Sequence, residues 1–445
     1  MAHDLLARLA EHAQARPEAL ALLHPDAAWT WRELHARVDR ARVDLARGTP
    51  GERVTLDTES ALEVVPRLLA AQAADVCLVP LDRQLDPTER ARRRQVATTT
   101  RGPCPGMLVF TSGTTAEPRG VRLTMPALLA SARAVIEAVD LRPGEAWMSS
   151  LPLAHVGGIG VVLRCALAGA TMVLGDRFDA AADAAALASQ GVTHASFVPR
   201  MLDRVLAVSD FTGSPRLKVV MVGGGASAPD LLLRARARGI PVVTTWGLSE
   251  AGSTVTVHRP GRCPDDDGSA GWPVAGAGVR IALPDADGAG PIEVRGPTLM
   301  QGHDGIPGSG PEEDGWLRTG DVGRLLPDGR LVVLDRRRDL IVSGGQNVAP
   351  SRVEAVLAAH PDLDEVGVVG MPDPSWGEVV VAVVRTQPGR VADPADLSSW
   401  AARRLSPAER PRRFVRSADP LPRTAAGKLL RRRLRQMLID GALPE

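Results

Sequence analysis

Apolar residues recur at helical spacing over residues 4–15, 32–47 and 64–74, each with charged positions on the opposite face. Ala-rich helical stretches follow at 127–139, 180–190 and 229–238. Between them lie short aliphatic runs, Met107–Phe110, Met172–Leu174, His194–Val198, Val219–Val222 and Val242–Thr245. Strands alternating with helices at this spacing predict an α/β fold with doubly wound, mostly parallel sheets covered on both faces. From Ser253 to Leu334 the texture changes to short strands punctuated by Gly, Pro and Asp, which predicts an antiparallel β-rich subdomain. After Asp339 the pattern is mixed. A helix is expected at 351–358, strands at 365–369 and 379–385, a helix at 394–404 and a basic helix from about 427. The polar run Asp335-Arg-Arg-Arg-Asp339 marks a boundary between a large domain, 1–337, and a small α+β domain, 338–445. No internal repeat is visible.

Composition narrows the function classes. With 445 residues and 44% apolar content the chain can bury a sizeable core, and a formal charge of +1 argues against a large nucleic-acid-binding face. The basic run Arg431-Arg-Arg-Leu-Arg435 is local and reads as a solvated helix face. The four cysteines, Cys77, Cys104, Cys165 and Cys263, show no metal-ligand spacing and read as free thiols in a reducing compartment. No signal peptide is visible at the start, and the apolar stretch after Gly157 is interrupted by Arg164 and too short to span a bilayer. The expectation is a cytoplasmic protein without membrane insertion.

Lysine is the informative rarity: there are two, against 51 arginines. One, Lys428, ends Pro422-Arg-Thr-Ala-Ala-Gly-Lys428, where an ammonium can reach a single oxygen that a planar guanidinium would crowd. Far upstream, Thr111-Ser-Gly-Thr-Thr-Ala-Glu-Pro-Arg-Gly120 follows an apolar strand and combines hydroxyls, glycines and a basic residue, the groups that cradle phosphate oxygens. It is not a Walker A loop, and alone it reads equally as a surface turn. Val219–Val222 running into Gly223-Gly-Gly-Ala-Ser-Ala228 offers a weak dinucleotide fingerprint, undercut by Pro229 and by the lack of a suitably spaced acid. Trp246-Gly-Leu-Ser-Glu250 places an aromatic to stack on a base and a carboxylate to hold Mg²⁺; a core Trp beside a solvated Glu is the plainer reading. Gly315-Trp-Leu-Arg-Thr-Gly-Asp321 sets an acid in a tight turn, positioned for a ribose diol or simply for a hairpin.

Taken in order, these motifs resemble those of the adenylate-forming superfamily of acyl- and aryl-CoA ligases, adenylation domains and luciferases. The likeness runs from Trp29-Thr-Trp-Arg-Glu-Leu34 to Lys428, and includes Asp335–Ile341 and Ser343-Gly-Gly-Gln-Asn-Val-Ala-Pro350 as hinge and following loop. Within the superfamily the chain most resembles the o-succinylbenzoate–CoA ligases of menaquinone synthesis, through Leu151-Pro-Leu-Ala-His-Val-Gly-Gly158 with Arg164 downstream, Val222–Gly225, Leu334–Ile341 and Leu421–Arg431. Departures from the pattern are Ala116 for Gly, Arg119 for Lys, Trp246 for Tyr, Arg338 for an acid, and a short Gln95–Pro105 segment.

The resemblance implies an ATP-dependent ligase that makes an acyl-adenylate and passes the acyl group to coenzyme A; the alternatives are another aryl- or fatty-acyl-CoA ligase, a stand-alone adenylation enzyme, or an inactive nucleotide-binding or interaction protein. It assigns Lys428 to the α-phosphate and carboxylate, and Thr111, Ser112, Gly113, Thr114, Thr115 and Arg119 to the phosphate loop. Glu250 falls to Mg²⁺. Asp321 and Arg336 fall to the ribose, Gly223, Gly224, Gly225, Trp246, Gly247 and Ser249 to the nucleotide pocket, and Ser343, Gly344 and Gly345 to the CoA channel. His155 and Gly158 would border the acyl pocket. Arg164 would pair with a second substrate carboxylate, or else face solvent on an amphipathic helix. The partners implied are a small carboxylic acid, ATP and CoA; a homodimer is left open.

Overall fold

The computed structural model describes residues 5–49, 51–99, 106–111, 119–189, 191–209, 211–264, 268–336, 339–343, 346–423 and 429–443. Among these residues the strands form four sheets. The largest has nine strands in the order Trp272–Pro273, Ser253–Val257, Val242–Leu248, Val219–Val222, His194–Phe197, Ala146–Ser149, Thr171–Leu174, Leu20–His24 and Ala27–Thr30. Its six central strands are mutually parallel. The edges are antiparallel hairpins. The expected runs are therefore the middle of a doubly wound sheet, and the antiparallel edges cap it.

A second sheet orders Gly302–His303, Gly120–Leu123, Gly106–Phe110, Cys77–Leu81 and Arg53–Asp57. The antiparallel region forms a four-stranded sheet, Gly278–Ile281, Gly290–Arg295, Leu317–Leu325 and Leu331–Arg336. The fourth sheet uses only strands from Ile341 onward: Gln346–Val348, Ile341–Ser343, Gly377–Thr386 and Leu363–Asp373, with Arg413–Arg416 parallel to Gly377–Thr386. Its apolar residues pack among themselves and against the helices Pro350–Ala358, Pro394–Ala402 and Arg431–Ile439.

Local chemistry explains several boundaries. Thr30 caps the helix Trp31–Leu45 by accepting from the Glu33 N–H, while Glu33 accepts from the Thr30 N–H, a reciprocal box that satisfies two otherwise open donors. Pro199, Pro229, Pro350 and Pro394 each open a helix, where a missing N–H has no cost. The helix Val156–Ala168 is apolar except for Arg164, and every residue but Gly157 is buried. Its interior position makes it a poor match to any periodicity, and it was not among the expected helices. Asp321 lies within the strand Leu317–Leu325, directly opposite Arg336, rather than in a tight turn. The basic helix also differs from expectation: Arg431 pairs with Glu354 and Arg435 with Glu378, so the run is partly docked onto the sheet.

Candidate active site

The strands Gly106–Phe110 and Gly120–Leu123 form an antiparallel hairpin, and the Thr111 N–H donates to the Arg119 carbonyl at 3.1 Å to close its base. The hydroxyl-rich segment joins these two strands; Ser112, Gly113, Thr114 and Thr115 lie outside the described residues. Arg119 is exposed at the loop's exit. On the other side of Gly120–Leu123 runs Gly302–His303, and the Met300 N–H donates to the Glu250 carbonyl at 2.8 Å, drawing the short turn Ser249–Ala251 alongside. His303 feels both neighbours: burial lowers its pKa, the Glu250 charge raises it and the Arg119 charge lowers it further. Glu250 is half-buried in this turn. A hard divalent ion suits a carboxylate oxygen. This donor fits Mg²⁺, which would neutralise phosphate charge.

The nucleotide side is assembled from two sheets. The Trp246 indole N–H donates to Asp321 Oδ2 at 2.9 Å, and both residues are buried. Asp321 is further fixed by its N–H to Thr319 Oγ1 at 3.1 Å. Gly247 follows Trp246 at a bulge in the edge hairpin, where a Cβ would lie 1.7 Å from the Ser253 carbonyl oxygen. Only glycine lets the backbone pass there. Gly223, Gly224 and Gly225 leave the end of the neighbouring parallel strand, with the Gly223 N–H donating to the Phe197 carbonyl. The loop and Trp246 therefore sit at the carboxyl end of the parallel sheet, where open α/β sheets bind ligands.

His155 precedes the buried helix Val156–Ala168, whose start abuts the Leu151–Pro152 turn: a Cβ on Gly158 would be 2.7 Å from both carbonyl oxygens. His155 Nε2 lies 3.6 Å from Asp82 Oδ2. Burial pushes the Asp82 carboxyl up, but His155, the Gln84 N–H and Arg93 outweigh it and hold the carboxyl below its usual value. Two turns further along the helix, Arg164 is 2% exposed. It does not face solvent, so that reading fails. Its Nη2 reaches Thr254 Oγ1 at 3.4 Å, its guanidinium lies 5.2 Å from the Trp147 ring, and its Nε has no hydrogen-bond partner. Gly160, one turn earlier, leaves the slot that the guanidinium fills. No carboxylate pairs with it among the described residues, and burial lowers its pKa to about 10.

In the C-terminal sheet Ser343 is buried, whereas Gly344, Gly345 and Lys428 lie outside the described residues. The chain on either side of residues 424–428 is anchored: Arg423 and Leu429 form a β-bridge, Arg423 Nε donates to Glu365, and Arg431 donates to Glu354.

Two family models match this chain, that of the AMP-binding enzymes over residues 104–303 and that of their C-terminal domain over 352–428. The 2-succinylbenzoate–CoA ligase of Bacillus licheniformis is 37% identical over 335 residues, 74% of this chain and 69% of that protein. The chain belongs to the AMP-binding enzyme family. Another relative, the 2-succinylbenzoate–CoA ligase of Geobacillus kaustophilus, is also 37% identical, over 339 residues, again 74% of this chain and 69% of its own length. Among solved structures, o-succinylbenzoate CoA synthetase from Bacillus subtilis in complex with the acyl-adenylate intermediate superposes with a TM-score of 0.87 at 28% identity, covering 96% of this chain and 97% of that one. The same enzyme with ATP and magnesium ion gives 0.85 at 28% identity, with 96% and 98% covered.

Membership settles the fold and the enzyme class read from the motifs: an AMP-forming acid–thiol ligase with an ATP-dependent adenylation step. The nicotinamide reading of Gly223–Ala228 falls with it. For this family member the structure brings Trp246, Gly247, Ser249, Glu250 and Asp321 to adjoining strands and turns, and places Gly223–Gly225 one strand away. It also adds neighbours that sequence reasoning missed: Asp82 beside His155, His303 between Glu250 and Arg119, and Trp147 with Thr254 around Arg164. Each is isolated in sequence from its partner, so spacing carries no signal for it. No helix among the described residues is long and apolar enough to cross a membrane.

Proposed function

We propose that this AMP-binding enzyme is an o-succinylbenzoate–CoA ligase serving menaquinone synthesis. The observation that carries the reading is Arg164, a guanidinium buried without a carboxylate among the described residues. Burying an unpaired charge is costly, and a dicarboxylate substrate supplies the missing anion in bidentate geometry. The curated 2-succinylbenzoate–CoA ligases at 36–37% identity and the Bacillus subtilis synthetase structure are named for the same substrate.

In the first half-reaction an oxygen of the substrate's reactive carboxylate attacks the α-phosphorus of ATP; the bond to the bridging oxygen breaks and pyrophosphate leaves. Lys428 and Arg119 neutralise the phosphates and Thr115 donates to them, Glu250 would hold Mg²⁺, Trp246 and Gly223–Gly225 flank the adenine, and Asp321 and Arg336 take the ribose. Most of the barrier reduction in such a step comes from positioning and charge neutralisation. In the second half-reaction the CoA sulfur attacks the acyl carbonyl, a C–S bond forms and AMP leaves. Residues 338–445 form the small domain that turns about Arg338–Asp339 between the steps, exchanging Lys428 for Ser343–Gly345. Free thiols at Cys77, Cys165 and Cys263 agree with a reducing cytoplasmic setting.

The test is AMP release with Mg-ATP, CoA and a panel of o-succinylbenzoate, benzoate and a medium-chain fatty acid. CoA-dependent turnover of o-succinylbenzoate alone is expected. Turnover of the monocarboxylates alone discards the pathway and the role of Arg164, while AMP formation independent of CoA points to loading of another acceptor.

A further inference from the structure

Glu365 lies on the strand Leu363–Asp373 with its side chain 2% exposed, and three arginines converge on it. Arg423 Nε donates to Oε2 at 3.0 Å, and Arg385 Nη2 lies 3.0 Å from Oε1. Both belong to the C-terminal sheet unit. The third, Arg200, does not: its Nη1 lies 3.1 Å from Oε2, and it sits in the first turn of the helix Pro199–Leu206, right after the strand His194–Phe197 of the nine-stranded sheet. That turn backs the glycine loop, since Cβ atoms built on Gly224 and Gly225 would lie 3.3 Å from Val198 and 4.0 Å from Pro199. Burial raises the Glu365 carboxyl, but Arg423 and Arg200 outweigh it and keep the group anionic.

One carboxylate oxygen therefore links a residue at the nucleotide pocket to Arg423, five residues before Lys428. We infer that Arg200 and Glu365 are positioning residues for adenylation: their ion pair holds the small domain in the orientation used for adenylation, and it must break when the domain turns for thioester formation. The inference rests on the proposed roles of Lys428 and of domain rotation. Arg200 suits a contact that is made and released. Its side chain is 43% exposed, so it rehydrates readily, while Glu365 retains Arg385 and Arg423 when Arg200 leaves.

The experiment uses the full-length enzyme and measures the two half-reactions separately: o-succinylbenzoate-dependent ATP–pyrophosphate exchange, and thioester formation from supplied o-succinylbenzoyl-adenylate and CoA. Arg200→Ala is expected to lower exchange by roughly threefold to tenfold, the range a half-exposed ion pair supports, with thioester formation unchanged or faster. Arg200→Lys should recover most of the loss, because an ammonium still reaches one carboxylate oxygen. Arg200→Glu should lose more than Arg200→Ala. Lys428→Ala serves as the reference and should abolish exchange while sparing the second half-reaction. If Lys428→Ala keeps its exchange activity, the reading of the lysine fails, and the inference built on it. If Lys428→Ala behaves as expected but Arg200→Ala lowers both half-reactions equally, or neither, the latch alone is overturned.

Discussion

The Trp246 indole N–H donates to the carboxylate of Asp321 across 2.9 Å, joining two residues that are 75 positions apart. Under the proposed assignment the Trp246 ring stacks on the adenine while its edge orients the acid proposed for the ribose. The bond is buried and charge-assisted, which makes its loss more costly than that of a neutral surface bond. Trp246→Phe keeps a ring and removes the donor. It should raise KM for ATP on the order of tenfold, with a smaller change in kcat, as the cost of a charged hydrogen bond implies. Steady-state kinetics with varied ATP provide the check; an unchanged KM would mean that stacking alone sets nucleotide affinity.

Arg164 predicts an opposition between stability and activity. An ion buried without a counter-charge destabilises the free enzyme, so an apolar side chain of similar length should relieve that cost. Arg164→Met is expected to raise the melting temperature of the ligand-free protein and to lower kcat/KM for o-succinylbenzoate at least 100-fold, roughly the effect of deleting one partner of a desolvated charge pair. Benzoate turnover, if present, should change little. A melting temperature that falls instead would identify Arg164 as a structural cation.

Asp183 supplies a pH dependence. Burial pushes its carboxyl up to about 7, from an ordinary 3.8, and the Asp179 charge adds to the rise, while the Ser150 hydroxyl donates to Oδ1 at 2.9 Å. Because the folded state binds this proton more tightly than the unfolded chain, the contribution is fully present below 3.8 and is lost as the pH rises through about 7. Asp183→Asn removes the titration. Its melting temperature relative to the parent should therefore climb between pH 5 and pH 8; a constant difference in calorimetric scans would contradict the buried, raised carboxyl.

Arg53 and Asp304 form a bidentate pair at 2.7 and 2.8 Å, both side chains nearly inaccessible. It ties the edge strand Arg53–Asp57 to the turn after His303, and hence steadies the strand Gly302–His303 against Gly120–Leu123. Removing one member leaves the other charge buried, a change that costs about 3–5 kcal/mol. Arg53→Met should show that loss in urea denaturation, and the double variant Arg53→Met, Asp304→Leu should recover most of it. Equal destabilisation by the single and double variants would argue that packing, not charge, dominates.

How much was legible beforehand differs from element to element. The alternation of aliphatic runs and Ala-rich helices was enough to place the central parallel strands, since period and composition are local properties of the chain. The buried helix Val156–Ala168 escaped because a helix surrounded by protein has no polar face to reveal its period. Asp321 was read as a turn residue at the end of Gly315–Asp321, yet its strand is set by pairing with Leu331–Arg336.

By itself the sequence determined the enzyme family, through short motifs whose backbone and charge requirements tolerate few residue types: the hydroxyls and glycines of Thr111–Gly120, one carboxylate at Glu250, one lysine at 428. Tertiary structure alone decided what surrounds those groups. Whether Arg164 meets solvent or is sealed against Trp147, whether Asp321 stands alone or accepts from Trp246, and whether Glu365 meets Arg200 depend on long-range packing. Burial and partner charge are properties of folded neighbours, and no local pattern of residues encodes them.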